Sequence, residues 1–208
     1  DGAILFYDLD ADGNRGDTLR ANKREGANSL GGFVEQELRW NQRWSARVAV
    51  RFDDVHYISE DRIDPALNAT KDFDHLTPKG SLSYRFDNHT VFAALGGGVE
   101  APAFNEIDPP PPYNTMTSLN PFLEPMHSTT YETGAKGSVP ALSRIGQVHY
   151  DAALYWIDVR NDIVPFDGGA YFLTAGKTRR RGLEVGLEWL PTAGLTISTG
   201  ATFSNNEY

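Results

Sequence analysis

Three carboxylates at alternate positions, in Asp8-Leu9-Asp10-Ala11-Asp12-Gly13-Asn14, match the opening of an EF-hand calcium loop, where oxygen ligands recur at every second residue and glycine permits the sharp turn. The last position of such a loop carries a bidentate glutamate, and here it is Leu19. Asp8, Asp10 and Asp12 therefore stand as calcium candidates against an Asx-rich surface turn. His56, His75, His89, His127 and His149 are scattered without metal-ligand spacing. The absence of cysteine removes thiolate metal sites, disulfides and thiol nucleophiles together. No G-x-S-x-G or comparable nucleophile motif is present, so neither a catalytic residue nor a cofactor is expected, although an outer-envelope hydrolase remains the enzymatic alternative. Arg179-Arg180-Arg181 is the only dense basic run, too short for a nucleic-acid footprint in a chain of net charge -9.

The elements that must carry these residues read as strands. Twenty glycines, twelve prolines and 12% aromatic residues separate short alternating runs. Trp44, Ala46, Val48, Val50 and Phe52 alternate with Ser45, Arg47, Ala49, Arg51 and Asp53. Val34, Leu38 and Trp40 alternate with Glu35, Glu37 and Arg39, and the connection 41–43 makes the two runs a hairpin. The period returns at Leu82, Tyr84 and Phe86, at Tyr131, Thr133 and Ala135, along 148–156, along 183–189 and along 195–203. About nine strands result, near the length that crosses a bilayer at a tilt. No run of about 18 apolar residues marks a spanning helix, and Asp1-Gly2-Ala3 has neither region of a signal peptide.

Connection lengths alternate as well. Residues 41–43, 87–89 and 190–194 read as tight turns, whereas 56–72, 99–126 and 161–170 are long and rich in Asp, Pro, Asn and Gly. Short turns on one side and long loops on the other are the layout of an outer-membrane barrel. Trp40, Trp44 and Trp189 sit beside tight turns, where a lipid-facing strand meets headgroups. The competing fold is a soluble β-sandwich with these tryptophans in its core.

Two segments resemble the barrel of TonB-dependent receptors. Asn120-Pro121-Phe122-Leu123-Glu124-Pro125 followed by Ser128-Thr129-Thr130-Tyr131-Glu132-Thr133-Gly134-Ala135-Lys136-Gly137 is similar to that family's "NP-x-L-x-PE...S-x-x-YE-x-G-x-K" stretch. Ala175-Gly176-Lys177 leading to Gly182-Leu183-Glu184 is similar to its "NAGK-x-x-x-x-GLE" strand, with Thr174 where the family has Asn. The strand Asp151–Val164 fits between them, and the likeness covers about residues 30 to 205, with Met126-His127 and the weakly patterned first 28 residues as departures.

The resemblance implies an all-β, antiparallel transmembrane β-barrel segment in the bacterial cell outer membrane, about nine strands of a barrel of about 22. The chain then forms one incomplete domain, with the plug and TonB box expected upstream and a further strand downstream. It implies active import of a scarce nutrient, a ferric siderophore or other metal chelate, energised through TonB, without enzymatic activity. The expected partners are outer-membrane lipid, the TonB complex and a small-molecule chelate. Glu35, Glu37, Arg47, Arg51, Arg85, Glu132, Lys136, Asp151, Glu184 and Glu188 would face the lumen and its plug. Phe104, Tyr113, Asn114, Met116 and Tyr171, in outer loops, are the ligand-binding candidates. Arg179 to Arg181 could attract an anionic chelate or touch headgroups or plug. A passive porin and a secreted glycan-binding sandwich are the alternatives.

Overall fold

The computed structural model describes residues 2–142 and 146–208. Its strands are β1 (Gly2–Leu9), β2 (Arg15–Arg39), β3 (Trp44–Asp61), β4 (Ala69–Phe86), β5 (His89–Glu100), β6 (Met126–Leu142), β7 (Gly146–Arg160), β8 (Ile163–Phe166), β9 (Tyr171–Thr174), β10 (Lys177–Thr192) and β11 (Leu195–Glu207). Nine of them form one antiparallel sheet in the order β1-β2-β3-β4-β5-β6-β7-β10-β11, each beside its neighbour in sequence except where the β8–β9 hairpin leaves the sheet. Among the described residues no helix is long and apolar enough to cross a membrane.

Register sorts the side chains onto two faces, because residues directly opposite in a ladder share a face. One continuous row joins Val48, Gly80, Leu95, Tyr131, Trp156 and Arg181 from β3 to β10. A parallel row joins Ala46, Leu82, Ala93, Thr133, Leu154, Leu183 and Phe203. This apolar face stays exposed, with Leu82, Leu95, Tyr131, Leu154 and Phe203 all open. A soluble sandwich would cover it with a second sheet. The two-stranded β8–β9 sheet instead packs, through Ile163 and Phe172, against the cluster around Tyr57 on the other face.

Aromatic residues gather at the tight-turn end of the apolar face. Trp44 packs on Tyr84 with ring centroids 4.7 Å apart, Tyr84 on Phe86 at 6.2 Å, Phe86 on His89 at 5.4 Å and His89 on Tyr150 at 5.8 Å. Tyr131 and Trp156 form the opposite rim. From Trp189 to Arg181 along β10 is about 26 Å, or roughly 20 Å of height at a tilt of about 40°, near the depth of a bilayer's hydrocarbon.

Large side chains lie over glycines on neighbouring strands. A Cβ on Gly182 would meet the Tyr155 ring at 2.6 Å, and one on Gly134 would meet Phe92 at 2.7 Å. These glycines bring strand and side chain closer than any other residue permits.

Three expectations are corrected. Residues 2–28, weakly patterned in sequence, form β1, the turn at 10–14 and the start of a 25-residue β2. The segment 56–72 is mostly strand, since β3 runs to Asp61 and β4 starts at Ala69, leaving 62–68 as the loop. The segment 161–170 contains β8 and leads into β9. The physical reason for the second lies in the β3–β4 register. Beyond Phe52 and Leu76 the formerly apolar face carries Asp54 opposite Asp74 and His56 opposite Asp72, and the apolar residues Val55, Tyr57 and Phe73 lie on the other face, so the ladder continues with its apolar side reversed.

Candidate functional site

The register puts all ten expected inward-facing residues on the polar face. Glu37 is opposite Arg47, Arg47 is opposite Ser81, and Arg85 is opposite Thr90. Thr90 leads to Lys136 and Asp151, Ala94 to Glu132 and Tyr155, Ala153 to Glu184, and His149 to Glu188. Glu35 and Arg51 share this parity through Ala49 and Phe33. Glu35 forms an ion pair with Arg47 at 3.4 Å, Glu37 accepts from Arg39 at 2.9 Å, and Arg51 donates to Asp53 at 2.6 Å. Among the described residues, Arg85, Glu132, Lys136, Asp151, Glu184 and Glu188 form no ion pair. A cleft of about 400 Å³ opens on this face between Glu35, Arg47, Lys79, Ser81 and Glu132.

Above the apolar band, the long loop 101–125 folds back onto the polar face. Leu123 is 1% exposed, Leu119 and Ile107 4%, and they pack with Tyr57 into the largest apolar cluster, flanked by Val55, Phe73, Ile163 and Phe172. The loop's polar groups need partners once buried. The Lys71 ammonium donates to the carbonyl oxygens of Asn120, Pro121 and Leu123 at 3.1, 3.3 and 2.6 Å. Burial holds the Lys71 pKa below the ordinary lysine value, and nearby Glu124 partly offsets this. The Tyr57 hydroxyl donates to the Pro102 carbonyl, and Lys23 pairs with Asp108 at 3.3 Å.

Here the two motif segments meet. Asn120 Nδ2 donates to the Phe172 carbonyl at 2.7 Å while its Oδ1 accepts the Phe122 amide at 3.0 Å. The Glu124 amide donates to Thr174 Oγ1 at 2.9 Å, and Asn161 Nδ2 donates to the Glu124 carboxylate at 3.0 Å. Gly176, two residues on, has φ of +83°, which a residue with a Cβ adopts only under strain. Thr174 thus serves as an acceptor and also as a donor, at 3.4 Å, to the Glu124 carbonyl.

The ligand-binding candidates lie at the loop ends of the sheet. Tyr113 and Asn114 belong to the 3-10 turn Tyr113–Thr115, which Met116, 69% exposed, caps. Tyr113 packs edge-on against Phe122 at 4.8 Å, Phe104 edge-on against Tyr57 at 5.8 Å, and Tyr171 stacks on Phe166 at 5.9 Å. Tyr113, Asn114 and Met116 therefore share one turn, while Phe104 and Tyr171 each belong to a separate aromatic pair.

Asp10 Oδ1 accepts the amides of Asp12 and Asn14 at 3.0 and 2.8 Å, Gly13 takes φ of +79°, and Asp8 pairs with Arg20. Leu19 already lies in β2 opposite Tyr7. The geometry is that of an Asx-capped hairpin turn. Among the described residues, no group of three or more His, Asp or Glu is arranged to hold a metal ion.

The sequence matches the family TonB dependent receptor-like, beta-barrel, over residues 4–208. The chain belongs to the TonB-dependent receptor β-barrel family. It is an outer-membrane segment whose polar face looks into the barrel lumen and whose apolar face meets lipid. Among solved structures, it is similar to the ferric-catecholate import receptor Fiu from K12 E. coli at 16% identity and TM-score 0.65, covering 93% of this chain and 31% of that one. The ferric yersiniabactin uptake receptor FyuA from Yersinia pestis matches at 16% identity and TM-score 0.69, over 93% and 29%. The siderophore receptor PiuA from Acinetobacter baumannii matches at 17% and 0.65, over 91% and 26%. The chain spans less than a third of the length of these structures, and the likeness establishes the barrel fold. No curated protein sequence matches the chain.

Sequence reasoning missed Lys71, Tyr57 and the pairing of Thr174 with Glu124. Nothing in the run Ala69–Phe73 marks its lysine as half-buried, because the partners are main-chain carbonyls about 50 residues away.

Proposed function

We propose that this TonB-dependent receptor barrel imports a scarce metal chelate, a ferric siderophore foremost, with energy delivered through TonB to a plug held in the lumen. The carrying observation is the set of lumen-facing ionisable side chains, Arg85, Glu132, Lys136, Asp151, Glu184 and Glu188, that have no ion pair among the described residues. A plug supplying opposite charges and hydrogen bonds meets that need. Contacts of this kind, partly solvated, are worth little singly, so a plug held by several of them is positioned and still releasable. A passive pore would leave the same groups in water.

In this reading Phe104, Tyr113, Asn114, Met116 and Tyr171 take the ligand from outside, with aromatic faces covering a flat chelate and Asn114 supplying polar contact. Four of these five belong to loop 101–125, which packs on the Tyr57 cluster of the polar face. The metal is cargo and is carried by its chelator.

The test is uptake of radiolabelled ferric chelates by iron-starved cells expressing the full-length receptor, with and without TonB and with a protonophore. Accumulation that stops in both deficient conditions supports the reading. Uptake unaffected by either would mean a passive pore, and no uptake of any ferric chelate alongside uptake of a copper or nickel chelate would overturn the iron assignment.

A further inference from the structure

We propose that His75 and His127 form a binding site for one transition-metal ion of the copper(II) or nickel(II) class, at the loop end of β4 and β6. The two strands are not neighbours, because β5 lies between them. Main-chain pairing of β4 with β5 stops at Lys79 and Gly96, whereas β5 pairs with β6 as far as Glu100 and Met126. Above Gly96 a slot opens. It has a volume of about 450 Å³ and is lined by both histidines with Gly97, Gly98, Ser128 and Thr129. Strands two apart in a sheet are about 9.6 Å from one another, and a stretch of bare backbone between them lets rings from both sides meet. A Cβ on Gly97 would meet Thr77 Cγ2 at 3.2 Å, and one on Gly98 would meet Ser128 Oγ at 2.5 Å.

The ring centroids are 4.4 Å apart and the ring planes are inclined by 44°. Two imidazoles bound to one ion at about 2.0 Å, each centroid about 1.2 Å behind its nitrogen, have centroids about 4.5 Å apart at a right angle and about 5.2 Å apart at the tetrahedral angle. The observed separation is the right-angled one. It suits the tetragonal ions copper(II) and nickel(II) better than tetrahedral zinc. A histidine ring centre lies close to its Cβ–Cγ axis, so turning χ2, a broad torsion, aims the nitrogens at a common point and leaves the separation nearly unchanged.

The polar atoms around the slot lack partners. Neither ring makes a hydrogen bond among the described residues, and His127 Nδ1 is buried with none. Thr77, two residues from His75 along β4, is 5% exposed, and its Oγ1 is also without a partner. Buried polar groups in that condition are uncommon. A metal ion takes the His127 lone pair, and a water bound to the ion supplies a donor for Thr77 Oγ1. Imidazole binds a metal in its neutral form, and two protonated rings this close would repel. Two protein ligands leave the remaining positions to water, in keeping with the lack of any three-residue metal cluster among the described residues. The ion ties β4 to β6 where β5 has parted from β4, and His127, the second residue of β6, is where loop 101–125 rejoins the sheet. This site needs neither plug nor TonB and does not rest on the identity of the imported cargo.

Titration of the full-length receptor in detergent with copper(II) chloride, followed by calorimetry and electron paramagnetic resonance, tests the site. The wild type should bind one copper ion that His75→Phe and His127→Phe each bind at least about tenfold more weakly, since even an outer partner of a metal ligand is worth that much. The difference spectrum between wild type and either variant should carry superhyperfine splitting from two nitrogens. His149→Phe, elsewhere in the sheet, should bind copper like the wild type. Heat-modifiable electrophoretic mobility verifies folding of each variant. A measurement on the wild type needs none of them: copper(II) should slow amide exchange in 75–79 and in 126–129 together, and EDTA should restore it. Equal copper binding by wild type and folded variants overturns the proposal. So does a difference spectrum with one nitrogen or none, or exchange that copper leaves unchanged in either strand.

Discussion

Lys71 is one ammonium whose three N–H donors satisfy three main-chain carbonyls. Lys71→Met keeps much of the volume and removes every donor. Hydrogen bonds to a charged group contribute about 1.5–3 kcal/mol. The variant should therefore loosen residues 118–124, seen as faster amide exchange confined to that segment, with barrel folding unchanged; exchange equal to wild type would show that the apolar cluster alone holds the loop. Asn120→Ala removes bonds to Phe172 and Phe122 at a position 1% exposed, at a cost of about 1–3 kcal/mol for groups left unpaired. It should raise proteolytic nicking in 101–125 and in the β8–β9 hairpin together, since Asn120 joins them. Nicking confined to one of the two would contradict that linkage.

At the scale of elements, main-chain ladders carry the strands through regions where side-chain pattern stops. The alternation along 44–53, 148–156 and 183–189 was readable because one face is lipid and the other lumen, so solvent contrast is written into every second residue. Above Phe52 and Leu76 the outer face turns polar while Val55, Tyr57 and Phe73 lie on the inner one, so the upper parts of β3 and β4 carry the reverse of the pattern below. The β5–β6 loop was readable as long, rich in proline and asparagine, but not as folded inward, because its burial rests on Tyr57 and Lys71 from distant strands. Gly182 tests the close approach of β7 and β10. Gly182→Val would drive a side chain into the Tyr155 ring and the Phe203 carbonyl, and should sharply lower the folded fraction on heat-modifiable gels. Gly32→Ala, where a Cβ meets nothing within 4 Å, should fold normally.

For the whole molecule, the decisive feature is an apolar face that the chain leaves uncovered. Leu30, Val34, Val48, Leu82, Leu95, Leu154 and Phe203 are all exposed, and β1 and β11 end the sheet without partners. Residues 1–208 in isolation should aggregate in water and disperse in detergent, checked by size-exclusion chromatography with light scattering; a monodisperse detergent-free monomer would contradict the lipid-facing assignment. In the full-length receptor reconstituted in brominated lipids, Trp40, Trp44 and Trp189 should be quenched more strongly by bromine near the headgroups than by bromine at the chain ends. The reverse order would place the tight turns away from the interface.

The sequence by itself determined the period of two, the sign of each face, the tight turns and the family, because these depend on each strand's contact with lipid or water and on local turn chemistry. It thereby put the ten residues expected to face the lumen on a single face, and the strand registers put them on one face too. Tertiary structure alone decided which residues meet. The union of Asn120 and Glu124 with Phe172 and Thr174, the capture of loop carbonyls by Lys71 and the confrontation of Arg160 with Lys177 arise from ladder registers and loop return, and registers are properties of paired strands, not of any one of them.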